Sequence, residues 1–479
     1  MAPPEEDHDC GWKTYARAQE QELLLLKERL AALEKGAFGR KSEKQKAEKL
    51  PPPLPKEPVP RAEQKAARDA LSEPRASRLE TSPIKITVAS DARCCKECGS
   101  TALREVGEGK SSIIIEYVPG YFRKRIYLRQ TLACGCRQVI TAAPPARMGD
   151  KTRYAPSFAA QLCVSKCSDS IPQYRLEKEY ARLGIPISRS TLNSLIHRAA
   201  KELRPLRAAA CAIVASASVV HADETTARQA NLDKRAFMWT FSSPELVVYK
   251  YAESRSGSVA SELLGDSQGT IIVDQYTGYN QVTKPGRRTR AGCMAHARRK
   301  VFESREHAGF DDALELIRKL YEIEARARKE SVVGTEKHLA LRAVEGRPVF
   351  ARLLLWARRA AKLHEPRSVP GRAARYVLKG RRALRVFLTD SKVAIDNNAA
   401  ERDLRRVALG RKNYLFFQSK ESGERHAILY TLVASAEKHG LNPTTYLADV
   451  LVRIQSHPQS RIEELLPHKY RPPNPAESR

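Results

Sequence analysis

Three observations in the amino-acid sequence predict an α/β core built on a mixed sheet. Two short β-like runs each end in an acid, Val219-Val220-His221-Ala222-Asp223 and Thr270-Ile271-Ile272-Val273-Asp274. Around them stand further strands over 237–241, 246–251 and 289–293, a helix over 259–264 and a short segment over 276–282. Residues 295–389 are almost wholly helical and separate the last of these strands from the helix of Glu401, so they read as an insertion. Three strands, helix, strand, helix, strand is the order of a ribonuclease-H-like sheet, in which the first and fourth strands are neighbours.

From the start of the chain, Ala16, Gln19, Leu23, Leu26, Leu30 and Leu33 alternate spacings of three and four. That is the seam of a coiled-coil helix, ended by Gly36. Fewer than three heptads make a weak dimer, and a helix packed on its own domain fits equally well. The segment 1–44 closes on the basic string FGRKSEK, which offers Arg40 and Lys41 to phosphates. Residues 45–83, with the string PPPLPKEPVP, cannot bury a core and read as a disordered linker.

Residues 84–145 turn to strands, over 113–118 and 121–132, joined at Pro119-Gly120. Cys95 and Cys98 form C-x-x-C, and Cys134 and Cys136 form C-x-C, bracketing this hairpin. Four thiolates make a tetrahedral set for a structural Zn²⁺, the mark of a zinc ribbon. Cys94 is an alternative first ligand, and unligated thiols are the alternative to the site. Residues 150–210 read as a helix-turn-helix-like module. Pro172 opens one helix, Gly184-Ile185-Pro186 breaks it, and Ser188 or Ser190 caps the next. The second helix buries Leu192, Leu195, Ile196, Ala199 and Leu203, with Arg189, Asn193, His197 and Arg198 outward. Any two packed helices share this pattern. Cys163 and Cys167, one turn apart, read as core. The core domain spans 212–425, and helices over 426–439 and 445–455 with a proline-rich tail complete 426–479.

Lys and Arg number 84 against 55 Asp and Glu, a net charge of +29. Such an excess along the whole chain favours a polyanion as partner, DNA or RNA; a merely basic or ribosome-associated protein is the alternative. The start MAPPEEDHD lacks a signal-peptide pattern. The most apolar stretch, 208–222, is shorter than the roughly 20 residues of a membrane span. Ten cysteines without an export pattern point to a reducing compartment, hence a cytoplasmic protein.

Asp223 and Asp274 end neighbouring strands, and a helix crossing those ends can bring Glu401 beside them. Unpaired, the three anions repel one another. Two Mg²⁺ (or Mn²⁺) ions offset the repulsion, one activating an attacking oxygen and the other stabilising a leaving oxygen on a phosphate. Glu224 and Asp396 are rivals, ranked lower because Glu224 points to the opposite strand face and Asp396 suits a helix N-cap. Arg402, Arg405, Arg406, Arg411 and Lys412 follow Glu401 closely, and Arg298, Arg299 and Lys300 make a second basic edge. Cys293 and His296 form C-x-x-H with no partner pair, which favours a contact to DNA or the active-site rim over a second zinc.

In order along the chain stand FGRKSEK, the C-x-x-C…ACGC segment, HADET (221–225), CMAHARRK (293–300), IDNNAAERDLRRVALGRKNYLF and GLNPTTYLADVL. Through these strings the chain resembles the insertion-sequence-66 transposases of bacterial mobile elements, over nearly its whole length. IDNNAAER…GRKN is the most specific of them. The resemblance implies a DDE-type transposase that hydrolyses DNA at its element's terminal inverted repeats and then joins the 3′-hydroxyl to target DNA. It carries the catalytic acids onto Asp223, Asp274 and Glu401. It also implies a homo-oligomer on DNA and accessory proteins of the same element. Met294 stands where the family pattern usually has tryptophan. The alternatives are a catalytically idle derivative that only binds DNA, against which the intact acids speak, and a nuclease of RNA hybrids.

Overall fold

The computed structural model describes residues 9–38, a few positions between 120 and 141, and 154–473. Residues 38–120 form a unit apart from the one made by 1–37 and 121–479, to which the elements below belong. Arg40, Lys41 and Cys94, Cys95, Cys98, Cys134 and Cys136 lie outside the described residues, and so do the linker and the zinc set. The leucine-rich segment forms α1 (Asp9–Phe38), with Leu23, Leu26 and Leu30 exposed along it. Strands β1 (Thr131–Ala133) and β2 (Val139–Thr141) pair antiparallel, Thr131 opposite Thr141.

Four described helices stand between β2 and the main sheet: α2 (Pro156–Cys167), α3 (Gln173–Arg182), α4 (Arg189–Glu202) and α5 (Arg204–Ser216). Gly184, at φ +82°, makes the turn between α3 and α4. The Ser188 hydroxyl caps α4 by accepting the Thr191 N–H at 3.3 Å. Leu192, Leu195, Ile196, Ala199 and Leu203 are all buried, as their spacing predicts, and so are Cys163 and Cys167. The border expected between 210 and 212 instead falls inside α5. Leu206, Ala210 and Val214 recur every fourth residue and bury in the same core as the sheet. The helices therefore continue the core rather than form a detached module.

The main sheet holds β3 (Val219–Ala227), β4 (Ala236–Ser242), β5 (Val247–Ala252), β6 (Thr270–Val273) and β7 (Thr289–Gly292), in the order β5-β4-β3-β6-β7. The first three pair antiparallel, and β6 and β7 join parallel. A helix, α6 (Ser258–Leu264), connects β5 to β6. The first and fourth strands are thus hydrogen-bonded neighbours, Val219 opposite Thr270. Thr270–Val273 is buried throughout, as a parallel strand covered on both faces should be. The pleat divides its side chains. Val220, Ala222, Ile271 and Val273 join the core with the four helices, whereas Val219, Ile272 and Ala291 join a second core. Arg288 locks the base of β6, with Nη2 donating to the carbonyls of Ala215 at 2.6 Å and Ala217 at 3.0 Å.

That second core belongs to the insertion: α7 (Met294–Phe302), α8 (Phe310–Lys329), α9 (Glu336–Leu341), α10 (Arg347–Leu363) and α11 (Val369–Leu384). Its largest buried charge is Arg342, in a short wide turn over Arg342–Gly346. The guanidinium forks onto Glu324 with two 2.7 Å bonds and gives its remaining nitrogen to the carbonyls of Phe387, Asp390 and Val393. The chain then returns in α12 (Asn398–Tyr414), α13 (Lys420–Lys438) and α14 (Pro443–Arg453). Helix α12 lies on β3 and β4, α13 on β5, and α14 on α2. Helix α13 begins at Lys420, earlier than the apolar pattern from His426 suggests, because the Ser419 hydroxyl accepts the Ser422 N–H at 3.2 Å. Among the described residues no helix is long and apolar enough to cross a membrane.

Candidate active site

The string Ile395-Asp396-Asn397-Asn398 is a knot. The Met294 N–H donates to the Ile395 carbonyl at 3.0 Å, and the Asn397 N–H to Cys293 Sγ at 3.2 Å. Asn397 Nδ2 donates to the Ala222 carbonyl at 2.8 Å, and its Oδ1 stands 3.1 Å from His221 Nδ1. With the amide oriented by Ala222, Oδ1 is the acceptor, so His221 carries its proton on Nδ1. Burial lowers the His221 pKa, keeping the ring neutral. Asp396 accepts the Asn398 N–H at 3.1 Å and the Tyr321 hydroxyl at 3.0 Å. It caps the start of α12 from one residue outside the N-cap, Asn397. The insertion thus leaves and re-enters the sheet at one point, and Glu401, in the first turn of α12, is carried near enough to Asp223 in β3 for its charge to act there.

Asp223 lies within β3 and Asp274 just past β6. Strand alternation turns both toward the face of Val219 and Ile272. One oxygen of each is held by main chain: Asp223 Oδ1 accepts the Glu224 N–H at 2.9 Å, and Asp274 Oδ1 the Tyr276 N–H at 2.8 Å. The Asp223 carboxyl is pushed up to about 7, first by burial and then by the negative charges of Glu224, Asp274 and Glu401, against the Glu224 N–H. Glu401 Oε1 is buried without a hydrogen-bond partner. Glu224 is the acid already served. Tyr279 donates to it at 2.6 Å and Arg255 at 2.6 and 2.8 Å, on the side of Trp239 and Tyr279.

Several basic residues singled out in the sequence prove to be occupied. Arg411 donates to Thr225 Oγ1 at 3.0 Å and to the Thr226 carbonyl at 2.7 Å, tying α12 to β3. Arg406 pairs with Glu437 at 2.8 Å. Asn193 accepts from Gln173 across the helix pair at 3.0 Å, and the exposed Arg189 pairs with Glu177. His197, expected outward, faces inward, 2.9 Å from Arg425 Nη1 and edge-on to His426. Arg298, Arg299, Arg402, Arg405 and Lys412 are exposed. A basic cleft was not foreseen. Asn280, Arg290, Lys379, Arg382 and Arg385 line a space of about 510 Å³ between β7 and α11. Arg290 links it to the acids, since its Nη2 donates to the Asp274 carbonyl at 2.7 Å.

Asp223 in β3 and Asp274 just past the adjacent β6 share one face of a mixed α/β sheet, and the chain's family match places it among the transposases. Residues 151–425 match the Transposase IS66 family, and residues 431–468 match the IS66 C-terminal element. The chain belongs to the IS66 transposase family. It is 31% identical over 414 residues to the uncharacterized protein y4jD of Sinorhizobium fredii (strain NBRC 101917 / NGR234), covering 81% of this chain and 80% of that one. To the uncharacterized protein y4hP of the same strain it is 29% identical over 405 residues, 79% and 73% of the two chains.

Proposed function

We propose that this chain is a divalent-metal-dependent DNA transposase with a ribonuclease-H-like core, and that Asp223, Asp274 and Glu401 are its catalytic acids. The observation that carries the reading is the electrostatic state of Asp223, a half-buried carboxyl whose acting charges are all negative. A cluster of that kind suits hard divalent cations, which take carboxylate oxygens, and the partnerless Glu401 Oε1 fits the same role. When bound, Mg²⁺ or Mn²⁺ would supply Lewis-acid activation of the attacking oxygen and stabilisation of the leaving oxygen. The chain itself does the positioning. The main-chain N–H groups of Glu224 and Tyr276 fix one oxygen of each aspartate. Asn397 fixes the start of α12, and with it Glu401. Arg255 and Tyr279 hold Glu224 out of the cluster.

DNA is assigned to the exposed Arg298, Arg299, Arg402, Arg405 and Lys412 and to the basic cleft, which together offer phosphate contacts without base reading. Base preference is assigned to the part before Val219, where Cys95, Cys98, Cys134 and Cys136 would hold one structural Zn²⁺. The test is incubation of the full chain with labelled element ends and Mg²⁺ or Mn²⁺. The expected product is a nick at the 3′ end of the element. Asp223→Asn, Asp274→Asn and Glu401→Gln should each lower the rate by at least about 10³-fold, roughly 4 kcal/mol of barrier, while DNA still binds. A fully active Glu401→Gln overturns the assignment.

A further inference from the structure

Cys293, closing β7, His296, in the first turn of α7, and Glu401, in the first turn of α12, come from opposite ends of the insertion. Their ligand atoms nevertheless converge: the sulfur, a ring nitrogen and a carboxylate oxygen all lie within 4.8 Å of one another. His296 Nδ1 and Glu401 Oε1 face each other at 3.6 Å, beyond hydrogen-bonding distance. Both atoms are buried and without a hydrogen-bond partner. Two such groups left open side by side are rare in a folded chain, and a shared ligand resolves them together. The main-chain N–H groups of Asn397 and His296 both point at the sulfur. Burial nonetheless pushes the thiol up to about 11, with these N–H groups opposing it only in part, so the ion itself must displace the proton.

The donor set selects the ion. Thiolate and imidazole suit Zn²⁺, whereas Mg²⁺ takes oxygen. Three protein ligands with a fourth position open is a common zinc arrangement, with bonds of about 2.0–2.3 Å. We infer that Cys293, His296 and Glu401 form a Zn²⁺ site, separate from the all-oxygen pair Asp223 and Asp274 and sharing Glu401 with the acid cluster. As the sulfur binds, the thiol proton leaves to solvent. The sharing, which rests on the catalytic reading of Glu401, makes zinc a competitor of the catalytic ion: a Glu401 drawn to Cys293 and His296 is withdrawn from Asp223.

The experiment is a zinc titration of the full chain, stripped by chelator under reductant, against a chromophoric competitor. Wild type should bind about one equivalent more than His296→Gln or Cys293→Ser, the remaining equivalent belonging to the ribbon cysteines. Co²⁺ in place of Zn²⁺ should lose part of its thiolate charge-transfer absorption in Cys293→Ser. His296 is partly exposed, so its variant carries the result if Cys293→Ser fails to fold. Equal zinc counts in wild type and a folded His296→Gln overturn the site. Asp223→Asn separates the two readings: it should keep the full zinc count while losing cleavage. If it cleaves normally, the catalytic reading fails and the zinc count still decides this one.

Discussion

The insertion and the central strands of the sheet both bury carboxylates, with opposite outcomes. In the insertion Glu324 is matched by the Arg342 fork, and the guanidinium's last nitrogen is consumed by three carbonyls. In the sheet Asp223 is surrounded by acids, and burial drives its carboxyl up to about 7. The first arrangement is closed at the guanidinium, every nitrogen of which is bonded. The second is stable only with a proton or a cation supplied from outside. Buried charge marks function where its partner is missing, and architecture where the partner is built in.

The contrast breaks most visibly at Arg342. Arg342→Met leaves the buried Glu324 with only His338 Nε2 beside it, at 3.3 Å, and should lower stability by about 3–5 kcal/mol, read as a fall in melting temperature. Pairing it with Glu324→Leu should recover most of that loss. If the single variant melts like wild type, the closed arrangement does not hold the insertion together.

Mg²⁺ sharpens the other side. Asp223 has a raised folded pKa, so the stability tied to its proton is full below the unfolded value near 3.8 and is lost as pH rises through about 7. Metal-free protein should therefore weaken over that window. Saturating Mg²⁺ should restore about 2.7 kcal/mol at a hundredfold excess over its Kd. Asp223→Asn should flatten the pH dependence and abolish much of the Mg²⁺ effect. An equal Mg²⁺ shift in the variant would place the ion elsewhere.

His426 tests a buried group with neither kind of partner for its charge. Burial pushes it down to about 3, its Nδ1 lies 2.7 Å from the Ser422 carbonyl, and its Nε2 is unpartnered. Its contribution is present above the ordinary value of 6.5 and lost as pH falls, by about 2 kcal/mol at pH 5. His426→Leu should remove that acid sensitivity in urea unfolding at pH 5 and 7. The smallest effect is expected at the α4 cap, where Ser188→Ala should cost about 1 kcal/mol.

The strands of the main sheet were legible because alternation is a local signal, although Asp223, expected to end its strand, lies within β3, which runs on to Ala227. The neighbouring of β3 and β6 followed from their order alone. The roles of single side chains were not. Arg411 looked like a phosphate contact because nothing nearby in sequence shows that Thr225 and Thr226 wait for it on β3. His197 looked solvent-facing because its partner, Arg425, lies on a helix far down the chain. Cys293 and His296 lacked a visible third ligand for the same reason. It stands beyond the whole insertion, at Glu401.

The hydrogen bond from Met294 to Ile395 makes the insertion a closed excursion, entering and leaving through one neck. Glu401 takes its position from that neck and from Asn397, whatever the length of the path between. Turns such as 303–309 and 330–335 could grow or shrink by several residues without moving the third acid relative to the first two. Variation within the lineage is thereby free to remodel the outer helices while the distance between the acids stays fixed.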